Sequence, residues 1–245
     1  MRLPRIIAHR CGGALAPENT LAGLRIAARL GVRGVEFDAM LSADGIPVVI
    51  HDETLERTTS GTGCIASVMA ADITRLDAGV RHHRAFAGEP LPTLAAVLQV
   101  CAALGLWANI EIKPSAGADA DTGRVVALSV AQHADRLSAG LVMSSFSMEA
   151  LVAAANAAPS LARALLVEAL PQDWRTRLSA VKATTLNVSC AALETDAARL
   201  SEICQAGIVV GSYTVNNRAL ADRLFSVGVQ AVFTDRPDLW AANEM

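Results

Sequence analysis

A short stretch with two acids and a histidine suggests a metal-dependent hydrolytic site. Glu36 and Asp38 are two residues apart in an apolar run, so on a β-strand both side chains point to one face. Neighbouring carboxylates repel each other unless a cation lies between them. Asp44-Gly45 signals a turn, and the residues after it predict a second, antiparallel strand. If only Asp44 and Gly45 form the loop, His51 lies opposite Asp38 and brings a proton carrier to the candidate metal ligands.

A solvent-exposed hairpin with hydrated acids is the alternative explanation of this stretch. An E-x-D pattern alone does not separate the two. The apolar residues around the acids argue against an exposed ribbon, because they leave little room for two polar faces. These residues are Phe37, Val48, Val49 and Ile50.

The composition predicts one large domain that spans residues 1–245. The chain has 245 residues, of which 52% are apolar and 18% are charged, and this is enough for a large buried core. A net charge of −3 gives no electrostatic reason to bind nucleic acid or an anionic membrane. The five cysteines show no metal-ligand spacing, which predicts reduced thiols in a cytoplasm.

No signal-peptide pattern or run of about 18 apolar residues is visible, so we expect a cytoplasmic protein without stable membrane insertion. The sequence leaves a homodimer open.

Helical and strand patterns alternate regularly from residue 94 onward. Six strands are predicted in this part, at residues 107–112, 141–145, 163–167, 185–188, 208–213 and 231–234. With a strand that ends at His9 and a strand that carries Glu36, they predict a closed (β/α)8 TIM barrel. An open doubly wound sheet is the structural alternative. Residues 53–92 lack strong strand signals and are predicted to be a small inserted cap segment.

Polar residues recur at the carboxyl end of nearly every predicted strand, which is where active sites of such barrels lie. Glu36, Asp38 and Glu111 then supply three carboxylates that converge near the barrel axis. Hard oxygen ligands suit Mg²⁺ or Ca²⁺, whereas zinc more often recruits His or Cys. A buried ion pair between Glu111 and Lys113 is the simpler alternative for those two residues.

Cationic and imidazole side chains complete the predicted site. Arg10 and Lys113 add positive charge that suits a phosphate group. His9 and His51 exchange protons near neutral pH, so one is expected to act as base and the other as acid.

Taken in order along the chain, these residues resemble the glycerophosphodiester phosphodiesterase family. The motifs that carry the resemblance are His9-Arg10, Pro17-Glu-Asn-Thr20, Glu36-Phe-Asp38, Asp44-Gly45, His51-Asp52, Leu55-Glu-Arg-Thr-Thr59, Leu76-Asp-Ala-Gly79, Pro92-Thr-Leu94, Asn109-Ile-Glu-Ile-Lys-Pro114, Ser144-Ser-Phe146, Tyr213-Thr-Val-Asn216 and Thr234-Asp-Arg-Pro237. They occur in the family's order over most of the chain. Cys11 departs from the pattern where the family commonly has glycine, and Tyr213 where many members have tryptophan.

The resemblance implies a metal-dependent hydrolysis of small glycerophosphodiesters to sn-glycerol 3-phosphate and an alcohol. It implies attack by the glycerol 2-hydroxyl, a cyclic phosphate, and its opening by water. The implied roles are metal binding by Glu36, Asp38 and Glu111, acid–base catalysis by His9 and His51, and substrate binding by Arg10, Lys113 and Tyr213. The resemblance also matches the cap to residues 53–92.

Two other functions fit parts of the pattern. A metal-dependent aldolase or isomerase would use the same carboxylates, but no obvious Schiff-base lysine is present. A non-catalytic phosphate- or metal-binding barrel would not need two histidines as proton carriers.

Overall fold

The structure is a computed structural model that describes residues 3–240. Within that range, eight parallel strands close into a barrel, and a ninth strand pairs antiparallel with one of them. The strands are β1 (Ile6–Ala8), β2 (Gly34–Leu41), β3 (Pro47–Val49), β4 (Trp107–Ile112), β5 (Leu141–Ser145), β6 (Arg163–Val167), β7 (Thr185–Ser189), β8 (Val209–Tyr213) and β9 (Ala231–Thr234). Because β1 pairs with both β2 and β9, the sheet has no open edge among the barrel strands. The predicted (β/α)8 TIM barrel is confirmed, and the open doubly wound sheet is excluded.

Helices lie between the barrel strands, and several of them begin at a residue whose side chain caps the helix. The helices are α1 (Leu21–Arg29), α2 (Ala70–Ile73), α3 (Leu94–Leu104), α4 (Asp119–Ala131), α5 (Met148–Ala157), α6 (Trp174–Ala180), α7 (Cys190–Thr195), α8 (Ala197–Gln205) and α9 (Arg218–Ser226). The Thr20 side chain accepts a hydrogen bond from Gly23 N and so caps α1. Within residues 3–240, none of the helices combines the length and apolar character needed to cross a bilayer.

The lower part of the barrel is filled with apolar side chains, so the barrel is packed and is not a pore. Ile7, Trp107, Val142 and Phe233 belong to this inner cluster. A larger cluster lies between the strands and the surrounding helices.

The β2–β3 hairpin differs from the prediction by one residue in register. Met40 pairs with Val48, and Ile50 N donates to Asp38 O at 3.0 Å, so His51 is not opposite Asp38. The prediction of that pair was wrong because the loop has three residues. Ser42 N donates to Ile46 O at 3.1 Å, and Gly45 takes the left-handed conformation with φ +72°. Strand β2 also continues beyond Asp38, because its last residues pair with β3.

Residues 53–92, here called the cap, pack against this hairpin through a separate apolar cluster. Leu55, Ile65 and Ile73 of the cap contact a cluster that includes Met40 and Val48 of the hairpin. On the other side, Glu89 Oε1 accepts a hydrogen bond from Ala22 N, in the first turn of α1, at 2.8 Å. The cap is thus fastened beside the carboxyl ends of β1 and β2.

Candidate active site

A cavity of about 260 Å³ opens at the carboxyl ends of the barrel strands. Its lining residues are His9, Arg10, Glu36, Asp38, His51, Asn109, Glu111, Lys113, Phe146, Leu166, Tyr213, Thr214 and Phe233. The structure therefore brings together all eight residues that the sequence singled out. Sequence reasoning missed Asn109 as a lining residue, although it lies two positions before Glu111 and so on the same strand face. The lining residues Leu166 and Phe233 carried no comparable signal.

Three carboxylates converge because their strands are neighbours in register. Asp38 of β2 pairs with Glu111 of β4, and Glu36 lies two residues earlier on the same face. One ligand atom from each of the three lies within 4.8 Å of the others. Glu36 and Asp38 are buried, whereas Glu111 is half-buried at the cavity.

Burial of these acids next to one another is costly without a cation. Burial and the charge of Asp38 raise the pKa of Glu36 to about 7. The pKa of Glu111 is raised well above its usual range by burial and by the charges of Asp38 and Glu36. Glu36 Oε1 is buried without a hydrogen-bond partner among the described residues. A cluster of hard oxygens with an unsatisfied member fits a divalent cation such as Mg²⁺ or Ca²⁺.

The imidazole of His9 is fixed by a carboxylate from the far end of the chain. His9 Nδ1 donates to Asp235 Oδ1 at 2.7 Å, and Asn216 Nδ2 donates to Asp235 Oδ2 at 2.9 Å. The other ring nitrogen, Nε2, is 3.9 Å from Glu36 Oε2. Burial alone lowers the pKa of His9, but the Asp235 hydrogen bond and the Glu36 charge outweigh it, so the pKa is raised. The contact exists because β1 and β9 are neighbours, with Ala8 paired to Thr234.

His51 lines the same cavity and contacts a carboxylate and a lysine. Lys113 Nζ donates to His51 Nε2 at 2.6 Å, so Nδ1 carries the proton and donates to Asp52 Oδ1 at 2.6 Å. The pKa of His51 is lowered chiefly by burial, against the opposing effects of Asp38 and Asp52. The two cavity histidines therefore have pKa values displaced in opposite directions.

Arg10 and Lys113 supply positive charge at the cavity. Arg10 Nη1 donates to Glu18 Oε2 at 2.6 Å, while Arg10 Nε is buried without a partner among the described residues. Lys113 Nζ is 3.8 Å from Asp38 Oδ1, so it pairs with Asp38 and His51 and not with Glu111 as the simpler alternative had it. Both cations thus border the carboxylate cluster from different strands.

Tyr213 contributes an apolar surface and not a free hydroxyl group. Its hydroxyl donates to Val167 O at 2.9 Å, and its ring meets Phe146 edge-to-face with centroids 5.9 Å apart. Cys11, the other residue that differs from the motif pattern, is fully buried in the core between the barrel and the helices. Cys11 therefore packs behind the site, and Tyr213 forms part of one wall.

Residues 9–239 match the profile of the glycerophosphoryl diester phosphodiesterase family. The chain is 33% identical over 235 residues to a glycerophosphodiester phosphodiesterase from Caldanaerobacter subterraneus subsp. tengcongensis, and the alignment covers 95% of this chain and 94% of that protein. It is 31% identical over 252 residues to a glycerophosphodiester phosphodiesterase from Bacillus subtilis, with coverages of 96% and 84%.

Solved structures show the same fold. A phosphodiesterase from Oleispira antarctica, solved in complex with the product sn-glycerol-3-phosphate, superposes with a TM-score of 0.92 at 38% identity. That comparison covers 97% of this chain and 95% of the Oleispira chain. A glycerophosphodiester phosphodiesterase from Agrobacterium tumefaciens superposes with a TM-score of 0.78 at 28% identity, with coverages of 97% and 99%.

Proposed function

The chain belongs to the glycerophosphoryl diester phosphodiesterase family, and on this premise we propose that it hydrolyses glycerophosphodiesters by metal-dependent acid–base catalysis. The products are sn-glycerol 3-phosphate and an alcohol. One observation carries this proposal: the three carboxylates, the two histidines and the two cations line one cavity. The family membership favours phosphodiester cleavage over the aldolase or isomerase, and over the non-catalytic barrel. We also propose that the chain forms one barrel domain with residues 53–92 as an inserted cap.

Glu36, Asp38 and Glu111 are the residues that would hold the metal. A bound Mg²⁺ or Ca²⁺ ion supplies positive charge that polarises a substrate hydroxyl and offsets charge on the phosphoryl oxygens. Glu36 Oε1 is buried and has no hydrogen-bond partner within residues 3–240, and the pKa of Glu36 is raised. Both observations support this assignment, because a bound cation would stabilise the ionised carboxylate.

Arg10 and Lys113 bind the phosphodiester anion in this proposal. Their charge-assisted hydrogen bonds hold the phosphorus between the two histidines. Lys113 donates to His51 in the structure, so an arriving phosphate competes with His51 for that proton donor. The edge-to-face pair of Tyr213 and Phe146 offers an apolar wall against which the carbon atoms of a small, deacylated substrate can pack.

His9 acts as the base of the first step. Its Nδ1–H is held by Asp235, so Nε2 has a free lone pair on the side of the carboxylate cluster. Nε2 takes the proton of the glycerol 2-hydroxyl while that oxygen forms its bond to phosphorus. The bond from phosphorus to the alcohol oxygen breaks, and a cyclic phosphate remains. Attack by a neighbouring hydroxyl has little entropic cost because it is already part of the substrate.

His51 protonates the departing alcohol oxygen. The low pKa of His51 in the free protein reflects burial and the nearby cations, and a bound phosphodiester anion favours the protonated imidazolium. In the second step the roles reverse. His51 takes a proton from water as the water oxygen bonds to phosphorus, the bond from phosphorus to the glycerol 2-oxygen breaks, and His9 returns its proton to that oxygen.

The requirement for a metal is tested by measuring the release of sn-glycerol 3-phosphate with and without EDTA. The substrates are glycerophosphocholine, glycerophosphoethanolamine and glycerophosphoglycerol. We expect activity to disappear in EDTA and to return with excess Mg²⁺ or Ca²⁺. Full activity in chelator would contradict the role of the metal.

The histidine role is tested with two variants. His51→Ala should abolish turnover while the substrate still binds. His133→Ala should leave turnover unchanged, because His133 contacts the end of α4 through Ser129 O and does not line the cavity. Undiminished turnover by His51→Ala would remove it from the mechanism.

The nucleophile is tested with an analogue that lacks the glycerol 2-hydroxyl. The proposed first step has no nucleophile in such a molecule, so we expect it to bind as an inhibitor without being cleaved. Cleavage at a rate comparable with that of the natural diester would show that water attacks phosphorus directly. A cytoplasmic location and the lack of nucleic-acid binding stay predictions from the sequence, which leaves a homodimer open.

A further inference from the structure

A row of alternating charges links the cap to two residues of the proposed site. It runs from Arg10 at the end of β1 through Glu18, Arg57 and Asp52 to His51. Arg57 belongs to the cap, whereas the other four belong to the loops that leave β1 and β3. Arg57 is thus the one member of this row that the cap supplies.

The guanidinium of Arg57 binds two carboxylates at once. Its Nη1 and Nη2 donate to the two carboxylate oxygens of Glu18 at 2.7 and 2.9 Å. Its Nε and Nη2 donate to the two oxygens of Asp52, with Nη2 at 3.0 Å from Oδ1. Two such forks fix both carboxylate planes relative to one rigid group, which a lysine ammonium does not do.

Each carboxylate held by Arg57 also holds a residue of the proposed site. Glu18 Oε2 accepts from Arg10 Nη1 at 2.6 Å, and Asp52 Oδ1 accepts from His51 Nδ1 at 2.6 Å. In the proposed function, Arg10 binds the phosphate group and His51 protonates the leaving alcohol. Arg57 is therefore linked to Arg10 through one carboxylate, that of Glu18, and to His51 through another, that of Asp52.

Arg57 itself is outside the cavity. Its side chain is 45% exposed, and it lines a separate neighbouring cavity with Glu18. The pKa of Asp52 is lowered, chiefly by the Arg57 hydrogen bond. The pKa of Glu18 is also lowered: burial raises it, but the hydrogen bonds from Arg57 and Arg10 outweigh burial. Both carboxylates are charged at neutral pH, so the row consists of alternating full charges up to His51.

We propose that Arg57 is a positioning residue that aligns Arg10 through Glu18 and His51 through Asp52. The inference rests on the proposed function, because it assigns Arg57 an effect on the roles proposed for those two residues. It adds a role for the cap: the docked cap delivers the group that sets the geometry of phosphate binding and of leaving-group protonation.

The two sides of Arg57 predict separable kinetic effects. Glu18→Gln should chiefly raise KM, because Arg10 loses its alignment toward phosphate. Asp52→Asn should chiefly lower kcat, because the His51 ring is no longer fixed. Arg57→Met should do both, and we expect each parameter to change about 10-fold, the order seen when a supporting hydrogen-bond partner is removed. Arg57→Lys should fall between Arg57→Met and wild type.

Double variants distinguish alignment of Arg10 and His51 by Arg57 from a role of Arg57 only in attaching the cap to the barrel. If Arg57 acts through the two carboxylates, adding Glu18→Gln to Arg57→Met should raise KM little further, and adding Asp52→Asn should lower kcat little further. The matched control is Arg75→Met, another cap arginine, whose side chain is 79% exposed and pairs with nearby Asp72 at 3.6 Å. Thermal unfolding of every variant shows whether the cap and barrel stay folded.

Calorimetric binding of sn-glycerol 3-phosphate tests the Arg10 side without turnover. The expected result is weaker binding for Arg57→Met and Glu18→Gln, wild-type binding for Arg75→Met, and kinetic effects that do not add in the double variants. The proposal is overturned if Arg57→Met matches Arg75→Met in kinetics and binding, or if the effects are fully additive. Wild-type protein that cleaves no glycerophosphodiester would refute the proposed function, and product affinity unchanged by Arg57→Met would then separately refute the positioning role.

Discussion

Asn19 holds Asp38 with both ends of its side-chain amide. Asn19 Nδ2 donates to Asp38 Oδ2 at 2.8 Å, and Asn19 Oδ1 accepts from the Asp38 backbone N at 3.2 Å. Asn19 is buried and has a φ of +59°, which asparagine tolerates better than most residues. The residue after it, Thr20, caps α1. The start of α1 therefore orients one of the three proposed metal ligands.

Removing this amide should weaken metal binding. Asn19→Gly keeps a backbone that accepts positive φ but leaves Asp38 free to rotate, so we expect the affinity for Ca²⁺ or Mg²⁺ to fall about 10- to 100-fold. Isothermal titration of the metal-free protein measures this directly. Asn156→Ala, at an exposed position in α5, is the control and should bind metal as wild type does. Wild-type affinity in Asn19→Gly would show that the clamp does not serve the metal site.

The Asp235–His9 contact should matter for the chemical step. Asp235→Asn removes the charge that holds His9 Nδ1–H, and we expect kcat to fall about 100-fold or more with little change in KM. Asn216→Ala removes the donor to Asp235 Oδ2 and the acceptor for Thr234 Oγ1 and Asp235 N but keeps the Asp235 carboxylate, so it should cause a smaller loss. Asp238→Asn is the control because Asp238 pairs with Arg236 and not with His9. The assignment fails if Asp235→Asn and Asp238→Asn have the same kcat.

Stability should decrease in acid through the carboxylates that Arg57 binds. The pKa values of Asp52 and Glu18 are lowered in the folded protein, so the unfolded chain binds more protons near their ordinary pKa values of about 4. Their contribution is therefore present above about pH 4 and is lost as the pH falls through the folded pKa values.

Urea unfolding at several pH values measures this loss. Between about pH 7 and about pH 3, Arg57→Met should lose less free energy of unfolding than wild type, because fewer paired carboxylates remain to be protonated. Arg75→Met is again the control. If the free energy of unfolding had the same pH dependence in wild type and Arg57→Met, the carboxylates paired with Arg57 would not account for the loss of stability in acid.

Gly123 permits close packing of α4 on α5. A Cβ atom added there would lie 2.1 Å from Ala150 O, a backbone atom that cannot move without displacing α5. We expect Gly123→Ala to reduce the free energy of unfolding by about 1–3 kcal/mol, the usual cost of overpacking. Leu128→Ala on the same helix is the control, since Leu128 is 43% exposed. Chemical denaturation measures both, and a stability of Gly123→Ala equal to wild type would mean that the helices separate at little cost.

The sequence by itself determined what depends on neighbours along the chain. A spacing of two residues on a strand was enough to place Glu36 beside Asp38 and to put Glu111 at the end of another strand. The alternation of helical and strand patterns was enough for the barrel, and the barrel rule located the site at one end. Thr20, whose side chain caps α1, is a local signal of the same kind.

The tertiary structure decided the pairings between side chains that are distant in the chain. His9 meets Asp235 because closure of the barrel makes the first and last strands neighbours, which no local period encodes. His51 accepts a hydrogen bond from Lys113, although the hairpin register differs from the predicted one by one residue. That register is set by the loop, in which Gly45 takes a left-handed conformation. Arg57 meets Glu18 only when the cap docks. Periodicity sets the face on which a side chain lies, but packing and loop geometry set its partner.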